Sequence, residues 1–218
     1  MNKIYINKGI YDNKNIFENT LESIKKAIIA KQGLYLTVRE TKDHVLIIYE
    51  DGNLSRLQNI KDKISDMTYE DLSYISFYHI PLLEEVLRLT ENKVDIILDL
   101  KMNSKNKDIY KMLNEYKSSF MLLSNPKVIH EINRNHSNLK VGEILTKKRK
   151  FSLLNFMIKT DYYSYDVDYY DAIYLKKLRE DNKPIIAYSL NNQMKYDEFK
   201  NEFDYLVIDN YQNIKIDK

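Results

Sequence analysis

The most informative stretch of the chain is residues 34–50, which read LYLTVRETKDHVLIIYE. Its two parts, 34–40 and 45–50, are rich in β-branched and other apolar residues, a composition that predicts two β-strands. Only the segment from Thr41 to His44 lies between them, far shorter than the dozen or so residues that a parallel crossover needs. The two strands are therefore predicted to form an antiparallel hairpin.

The turn of this hairpin determines which side chains share a face. A turn centred on Asp43 and His44 places Thr37 opposite Glu50. Tyr35 lies on the same face as Thr37, because alternate residues of a strand point the same way. We expect Tyr35, Thr37 and Glu50 to be gathered on one side of the hairpin.

Strand-like runs alternate with helical stretches along the whole chain, which is typical of repeated βα units and a mostly parallel sheet. Strands are predicted near residues 3–8, 34–40, 45–50, 94–100, 119–123, 139–144, 162–167, 184–190 and 204–209. Helices are predicted near residues 20–31, 69–74, 82–91, 107–116, 127–135, 150–158, 170–181 and 195–202. Without the return strand of the hairpin, eight parallel strands remain, so the predicted fold is an α/β protein, a (β/α)8 TIM barrel with an extra antiparallel hairpin strand after strand 2. No linker rich in Pro or Gly interrupts the chain, and residues 1–218 are predicted to form a single domain.

The composition excludes several classes of function. The chain has 34 Lys plus Arg against 32 Asp plus Glu, a net charge of +2, which does not favour a nucleic-acid partner. It contains no cysteine, which excludes disulfides, zinc-thiolate sites and thiol nucleophiles. The opening residues lack the apolar core of a secretion signal, and no apolar run approaches the about 18 residues that span a bilayer. We expect a cytoplasmic protein without a membrane span.

Functional sites of such barrels lie at the carboxyl ends of the strands. Polar residues stand at many of these predicted ends: Asn7, Lys8, Tyr35, Thr37, Glu50, Asp51, Asp99, Lys101, Asn125, Asp166, Ser189, Asn191 and Asp209. The two lysines fit an anion site in which ammonium groups donate to a phosphate. Spacing alone favours the commoner alternative, a network of ion pairs that closes the barrel mouth.

Segments spread along nearly the whole chain resemble, in order, the glycerophosphodiester phosphodiesterase family of phosphoric diester hydrolases. They are FENTLESI (17–24), TKD (41–43), EDGNLSR (50–56), IPLLEEVL (80–87), DLK (99–101), YSLN (188–191) and FDYLVID (203–209). The resemblance implies the barrel and the hairpin already predicted. The short segment between Arg56 and Pro81 leaves no room for the inserted subdomain that some members carry.

The resemblance also implies a site whose first half is changed in this chain. The family follows its first strand with His-Arg-Gly, in which the His serves in acid–base catalysis and the Arg holds phosphate, whereas this chain has Asn7 and Lys8 before Gly9. The family ends its second strand with Glu-x-Asp, two carboxylates that bind a divalent metal. Tyr35 and Thr37 stand at those positions, so two metal ligands are lost.

The second half of the implied site keeps more of its charge. The family has a His-Asp pair on the hairpin, and its His is the second acid–base residue; Glu50 and Asp51 correspond to that pair. The remaining metal carboxylate, usually Glu, corresponds to Asp99, and the neighbouring lysine is present as Lys101. A charged mouth is therefore expected, with Asn7 as the one position where an acid–base group has become neutral.

The residues at these acid–base and metal positions predict a protein that binds a ligand with little or no catalysis. Asn7 cannot exchange a proton near neutral pH, and one or two carboxylates hold a divalent cation weakly. We expect Lys8 and Lys101, with Asn7, Glu50, Asp51 and Asp99 nearby, to bind a small phosphate or phosphodiester ligand of glycerol-phosphate type. No metal or other cofactor is expected, and the chain is expected to be a pseudoenzyme or a very weak hydrolase.

Two alternatives stay open. In the first, the chain is an active phosphoric diester hydrolase, with Glu50 as general acid or base and Mg²⁺ or Ca²⁺ on Asp99 and Asp51. In the second, it is a non-catalytic scaffold or partner-binding subunit that uses an outer face, for which the tyrosine-rich segment 162–174 is the candidate. The sequence does not indicate the oligomeric state.

Overall fold

The computed structural model describes residues 3–102, 108–116, 120–135, 139–145 and 158–217. The strands are β1 (Lys3–Asn7), β2 (Gly33–Glu40), β3 (Leu46–Ile48), β4 (Asn53–Leu54), β5 (Ile60–Lys63), β6 (Ile96–Lys101), β7 (Phe120–Ser124), β8 (Val141–Leu145), β9 (Tyr162–Asp166), β10 (Ile185–Leu190) and β11 (Tyr205–Ile208). The α-helices are α1 (Leu21–Ile29), α2 (Ser55–Gln58), α3 (Tyr69–Ile75), α4 (Leu83–Thr90), α5 (Asp108–Glu115), α6 (Pro126–Asn135), α7 (Ala172–Arg179) and α8 (Gln193–Phe199). The helix predicted near 150–158 lies, except for its last residue, outside the described residues.

A closed ring of parallel strands forms the centre of the described structure. Strand β1 pairs with both β2 and β11, and the ring continues through β6, β7, β8, β9 and β10. Every pairing within the ring is parallel. This is the predicted eight-stranded α/β barrel. A small antiparallel sheet of β4 and β5, which the sequence does not predict, lies outside the ring.

Strand β3 pairs with β2 in antiparallel sense, as the short connection predicts. The predicted register is wrong by one residue, because the amide of Tyr49, and not that of Glu50, donates to the Thr37 carbonyl at 3.1 Å. The cause lies in the turn. His44 adopts a left-handed conformation, with φ 66°, as the last residue of a three-residue loop, so the hairpin centres on Asp43.

Large aromatic side chains fill the interior of the barrel. Tyr5 and Tyr162 are buried there with apolar residues of the other strands. Each ring lies against a glycine of a neighbouring strand. A Cβ atom at Gly33 would stand 2.5 Å from Tyr5 Cδ1, and a Cβ atom at Gly142 would overlap the Tyr162 ring. Only glycine leaves room for these two rings, so the interior below the mouth is a packed core.

The start of helix α1 holds the first residue of the mouth in place. Thr20 and Ser23 form a capping box, in which each side chain accepts a hydrogen bond from the other residue's amide. The Ser23 hydroxyl and the Asn19 amide both donate to the Lys8 carbonyl, at 3.2 and 2.8 Å. Gly9 follows with φ 80°, and a Cβ there would stand 2.6 Å from Ser23 Oγ. Close packing on α1 therefore fixes the Lys8 backbone.

Candidate functional site

The mouth of the barrel collects the predicted residues at the carboxyl ends of β1, β2 and β6 and at the end of the hairpin. Alternate strands of such a barrel contribute side chains to the same inward-facing layer. The observed registers place Asn7, Asp99 and Tyr188 in one layer, and Thr37 in the layer above them. The described structure therefore assembles one polar site from residues far apart in the chain.

Asp99 is the buried centre of a first cluster. The Tyr35 hydroxyl donates to Asp99 Oδ2 at 3.2 Å, and Lys101 Nζ lies 3.1 Å from the same oxygen. Asp99 is only 3% exposed, whereas the Lys101 side chain is 41% exposed. Burial raises the pKa of Asp99, and Lys101 opposes that rise. Asp99 Oδ1 is also buried and accepts no hydrogen bond from the described part of the chain.

Glu50 belongs to a second cluster beside the first. Its Oε2 accepts a hydrogen bond from Thr37 Oγ1 at 3.0 Å, so the predicted face of the hairpin is assembled despite the shifted register. Arg39 Nη2 donates to the Glu50 carbonyl at 2.5 Å. Burial raises the pKa of Glu50, and the charges of Lys8 and Lys101 oppose that rise. Both lysines are therefore close enough to act on Glu50 electrostatically.

Lys8 forms a third cluster with the last strand. Lys8 Nζ donates to Asp209 Oδ2 at 3.2 Å, and the Tyr11 hydroxyl donates to Asp209 Oδ1 at 2.8 Å. The side chains of Lys8 and Asp209 are only 11% and 18% exposed. Asp209 stands at a predicted strand end, but its pairing with Lys8 was not predicted. No sequence signal identified Tyr11.

The last predicted carboxylate, Asp51, is held at the edge of the mouth. Arg56 Nε donates to Asp51 Oδ2 at 2.7 Å, and the guanidinium makes two further bonds, at 3.0 and 2.5 Å, to the buried Glu18. This ion-pair network ties the loop after β1 to helix α2. Asp51 is therefore engaged with Arg56 at the edge of the mouth, away from the Tyr35 and Lys101 partners of Asp99.

Asn7 and Tyr188 complete the interior layer. Asn7 is 1% exposed, and its Oδ1 receives no hydrogen bond from any described residue. The Tyr188 ring packs on Tyr35 with the ring centroids 4.9 Å apart. Burial, with nearby Glu50 and Asp99, raises the pKa of Tyr188 far above its ordinary value, so its hydroxyl stays protonated. This layer presents neutral donors and acceptors beneath the lysines.

The residues present do not fit the divalent metal that the resemblance implies. Of the three corresponding positions, only Asp99 carries a carboxylate, and Tyr35 and Lys101 already donate to it. Within the described ranges, no group of three or more His, Asp or Glu residues is arranged to hold an ion. Hard divalent cations need several oxygen ligands. Asp99 and Asp51 do not supply such a set.

The lysines of the mouth are each paired with a carboxylate. Lys8 faces Asp209 and Lys101 faces Asp99, so the ion-pair network that spacing favoured is present. An ammonium group has three donor hydrogens, and each lysine uses one of them in its pair. Both lysines therefore retain donors for a phosphate oxygen, although neighbouring carboxylates reduce the attraction.

The tyrosine-rich segment 162–174 divides between core and surface. Tyr162 and Tyr165 are buried, whereas Tyr169 and Tyr170 are 45% and 41% exposed.

In the part of the chain that the structure describes, no helix has the length and apolar character needed to cross a bilayer.

Comparisons with known proteins agree with this architecture. Among curated relatives, glycerophosphodiester phosphodiesterases of Bacillus altitudinis and Caldanaerobacter subterraneus are 33% and 29% identical over 115 and 104 residues. These matches cover 48% and 43% of this chain and 46% and 42% of the relatives, so the matched region spans about half the length of the curated relatives.

Solved structures are similar to this chain in fold over nearly its whole length. A glycerophosphodiester phosphodiesterase from Thermotoga maritima matches with a TM-score of 0.78 at 22% identity, over 95% of this chain and 94% of that one. A phosphodiesterase from Oleispira antarctica, in complex with the product sn-glycerol-3-phosphate, matches with a TM-score of 0.77 at 14% identity, over 96% and 93%. The model of the glycerophosphoryl diester phosphodiesterase family matches residues 11–208. The chain therefore belongs to the glycerophosphoryl diester phosphodiesterase family.

Proposed function

We propose that the barrel mouth binds a phosphate or phosphodiester ligand of glycerol-phosphate type through Lys8 and Lys101, without a metal. On this proposal the chain is a pseudoenzyme or a very weak hydrolase. It retains the fold and the ligand class of its family but lacks the family's metal-dependent reaction.

The observation that carries the proposal is the environment of Asp99. Tyr35 and Lys101 donate to the same carboxylate oxygen, at 3.2 and 3.1 Å. In the family, this carboxylate would share a metal with the residues at positions 35 and 37. Here an internal ammonium group supplies the positive charge, and a phenol supplies a second donor. A divalent cation would have to displace both and would find neutral ligands at Tyr35 and Thr37.

The acid–base groups also support binding over turnover. Cleavage of a phosphodiester needs one group that removes a proton from the nucleophile and another that protonates the leaving alcohol. Asn7 occupies one of the two implied positions, and an amide performs neither task. Glu50 alone would have to serve for both, without a metal to neutralise the developing charge.

The polar layer beneath the lysines fits the alcohol end of such a ligand. Asn7 Oδ1 and Asp99 Oδ1 are buried acceptors without a donor among the described residues. Glycerol hydroxyls are donors, whereas phosphate oxygens need cations. A glycerol phosphate supplies both kinds of group. The product complex of the Oleispira antarctica phosphodiesterase, a structural neighbour, contains a ligand of this class.

Calorimetric titration of glycerol phosphate and of a glycerophosphodiester into the protein tests the proposal. We expect binding that Lys101→Ala weakens at least fivefold. Lys176→Ala, which removes an exposed lysine of α7, provides the matched control and leaves binding unchanged. Absence of binding at millimolar ligand, with no effect of Lys101→Ala, would contradict the proposal.

One observation favours a second candidate function. Burial raises the pKa of Glu50, which is what a carboxyl group needs to act as a general acid near neutral pH. Slow hydrolysis of glycerophosphodiesters that Glu50→Gln abolishes would establish this candidate. Sensitivity of that hydrolysis to EDTA would place a metal on Asp99 and Asp51 and would overturn the metal-free proposal.

A further inference from the structure

Asp209 lies where it opposes the ligand that Lys8 would bind. Its Oδ2 is 3.2 Å from Lys8 Nζ, and its Oδ1 accepts hydrogen bonds from the Tyr11 hydroxyl at 2.8 Å and from the Asn210 amide at 3.1 Å. Three donors therefore hold the Asp209 carboxylate in place. Any anion that reaches Lys8 must share the ammonium group with this fixed negative charge.

Lys8 cannot readily turn away from Asp209. Its backbone has φ 64°, its amide donates to the Tyr35 carbonyl at 3.0 Å, and its own carbonyl accepts from Asn19 and Ser23. Its side chain is only 11% exposed. The fold thus fixes the Lys8 backbone and buries most of its side chain, which keeps the ammonium group close to Asp209.

We propose that Asp209 is a specificity-determining residue that limits the charge of the ligand, so that the mouth favours monoanionic phosphodiesters over dianionic phosphomonoesters. If Lys8 binds phosphate, as the proposed function requires, a phosphate oxygen on Nζ lies about 5–6 Å from the Asp209 carboxylate. Repulsion between like charges at that distance is proportional to the charge of the ligand. A phosphomonoester carries nearly two negative charges at pH 7.5 and a diester carries one.

The remaining charges of the mouth do not cancel this effect. Lys101, the other predicted phosphate donor, is paired with Asp99, and Glu50 lies close to both lysines. Arg39 donates to the Glu50 carbonyl, and its charge acts on Glu50, Asp99 and Asp51 and not on Asp209. The second negative charge of a phosphomonoester is therefore repelled by a carboxylate beside each lysine. Asp209 is the carboxylate paired with Lys8.

Calorimetry with glycerol phosphate and with its methyl diester tests the inference, since the two ligands differ by one methyl group and about one charge. We expect wild type to bind the diester more tightly. Asp209→Asn should strengthen diester binding about tenfold and monoester binding about a hundredfold, so that the ratio of the two affinities changes about tenfold. Asp209→Glu, which keeps the charge, should retain the wild-type ratio.

Two controls separate charge from structure. Tyr11→Phe removes a hydrogen bond to Asp209 without changing its charge, and we expect the ratio to stay within about twofold of wild type. Asp204→Asn removes one charge at the amino end of β11, opposite to the mouth. Asp204 accepts a hydrogen bond from the Ile185 amide there, and its replacement should leave both affinities unchanged. Thermal unfolding followed by circular dichroism confirms that each variant is folded.

The outcomes are distinguishable. If both ligands bind and Asp209→Asn strengthens them equally, the charge limit is wrong and the proposed function stands. If neither ligand binds wild type or Asp209→Asn at millimolar concentration, both are wrong. If Asp209→Asn does not fold, the wild-type ratio still decides, because tighter binding of the monoester than of the diester would contradict the inference.

Discussion

Replacement of Lys101 by methionine tests the internal charge that, on the proposed function, takes the place of a metal. The variant keeps much of the length and apolar volume of the side chain but removes the ammonium group 3.1 Å from Asp99. Breaking a buried ion pair from one side costs about 3–5 kcal/mol. Because Lys101 is 41% exposed and Tyr35 still donates to Asp99, we expect a smaller loss of stability, about 1–2 kcal/mol at pH 7.5. For a chain of this size that loss lowers the melting temperature by roughly 2–8 °C.

The loss should depend on pH in a defined direction. Burial raises the pKa of Asp99 and Lys101 opposes the rise, so the variant has a still higher pKa in the folded state. Below the unfolded value of about 3.9 the carboxyl is protonated in both states, and the missing lysine has little effect. The difference in stability from wild type should grow as pH rises above that value, and should be complete above the folded pKa of the variant.

Urea unfolding at pH 4.0 and pH 7.5, followed by circular dichroism, measures this difference. Lys176→Met provides the control for a change of surface charge, and Asp99→Asn combined with Lys101→Met should recover most of the stability at pH 7.5, because no buried charge remains unpaired. A loss of equal size at both pH values, or a double variant no more stable than Lys101→Met, would refute the reasoning.

Three further changes test other parts of the structure. Tyr35→Glu combined with Thr37→Asp adds two carboxylates beside Asp99, and calorimetry should detect binding of Mg²⁺ or Ca²⁺ by the variant and none by wild type; equal heats from both proteins would contradict the proposed loss of the metal site. Gly33→Ala places a methyl group against the ring of Tyr5, 2.5 Å from Cδ1, and should destabilise the fold by about 2 kcal/mol in urea unfolding, whereas a neutral result would show that the interior can adjust. Glu50→Gln removes a carboxyl whose pKa burial raises, so in urea unfolding its stability relative to wild type should rise as the pH increases above the unfolded value of about 4.3, and a fall over that range would contradict the buried environment.

The architecture follows from the sequence because its determinants are local. The few residues between the strands of the hairpin fix their antiparallel sense, and alternation of strands and helices fixes the barrel. The register of the hairpin does not follow, because it depends on one backbone conformation. A left-handed His44, with φ 66°, adds one residue to the turn and moves Tyr49 opposite Thr37.

The sequence predicts which residues lie at the candidate site more readily than it predicts the ion pairs that they form. Strand ends identify Lys8, Asp99 and Lys101, and the spacing of Asp99 and Lys101 on one strand places them on the same face. The pairing of Lys8 with Asp209 joins residues 201 positions apart and depends on closure of the ring through β1 and β11. Both residues lie at predicted strand ends, but only closure of the barrel brings them together.

The most direct test of the central claim is the affinity of a glycerophosphodiester measured by calorimetry in EDTA and again in millimolar Mg²⁺ or Ca²⁺. Because Lys101 and Tyr35 already satisfy one oxygen of Asp99, we predict the same affinity in all three conditions and no hydrolysis of the ligand during the titration. Binding that appears only with the divalent cation, or cleavage that EDTA abolishes, would contradict the claim that internal donors have replaced the metal.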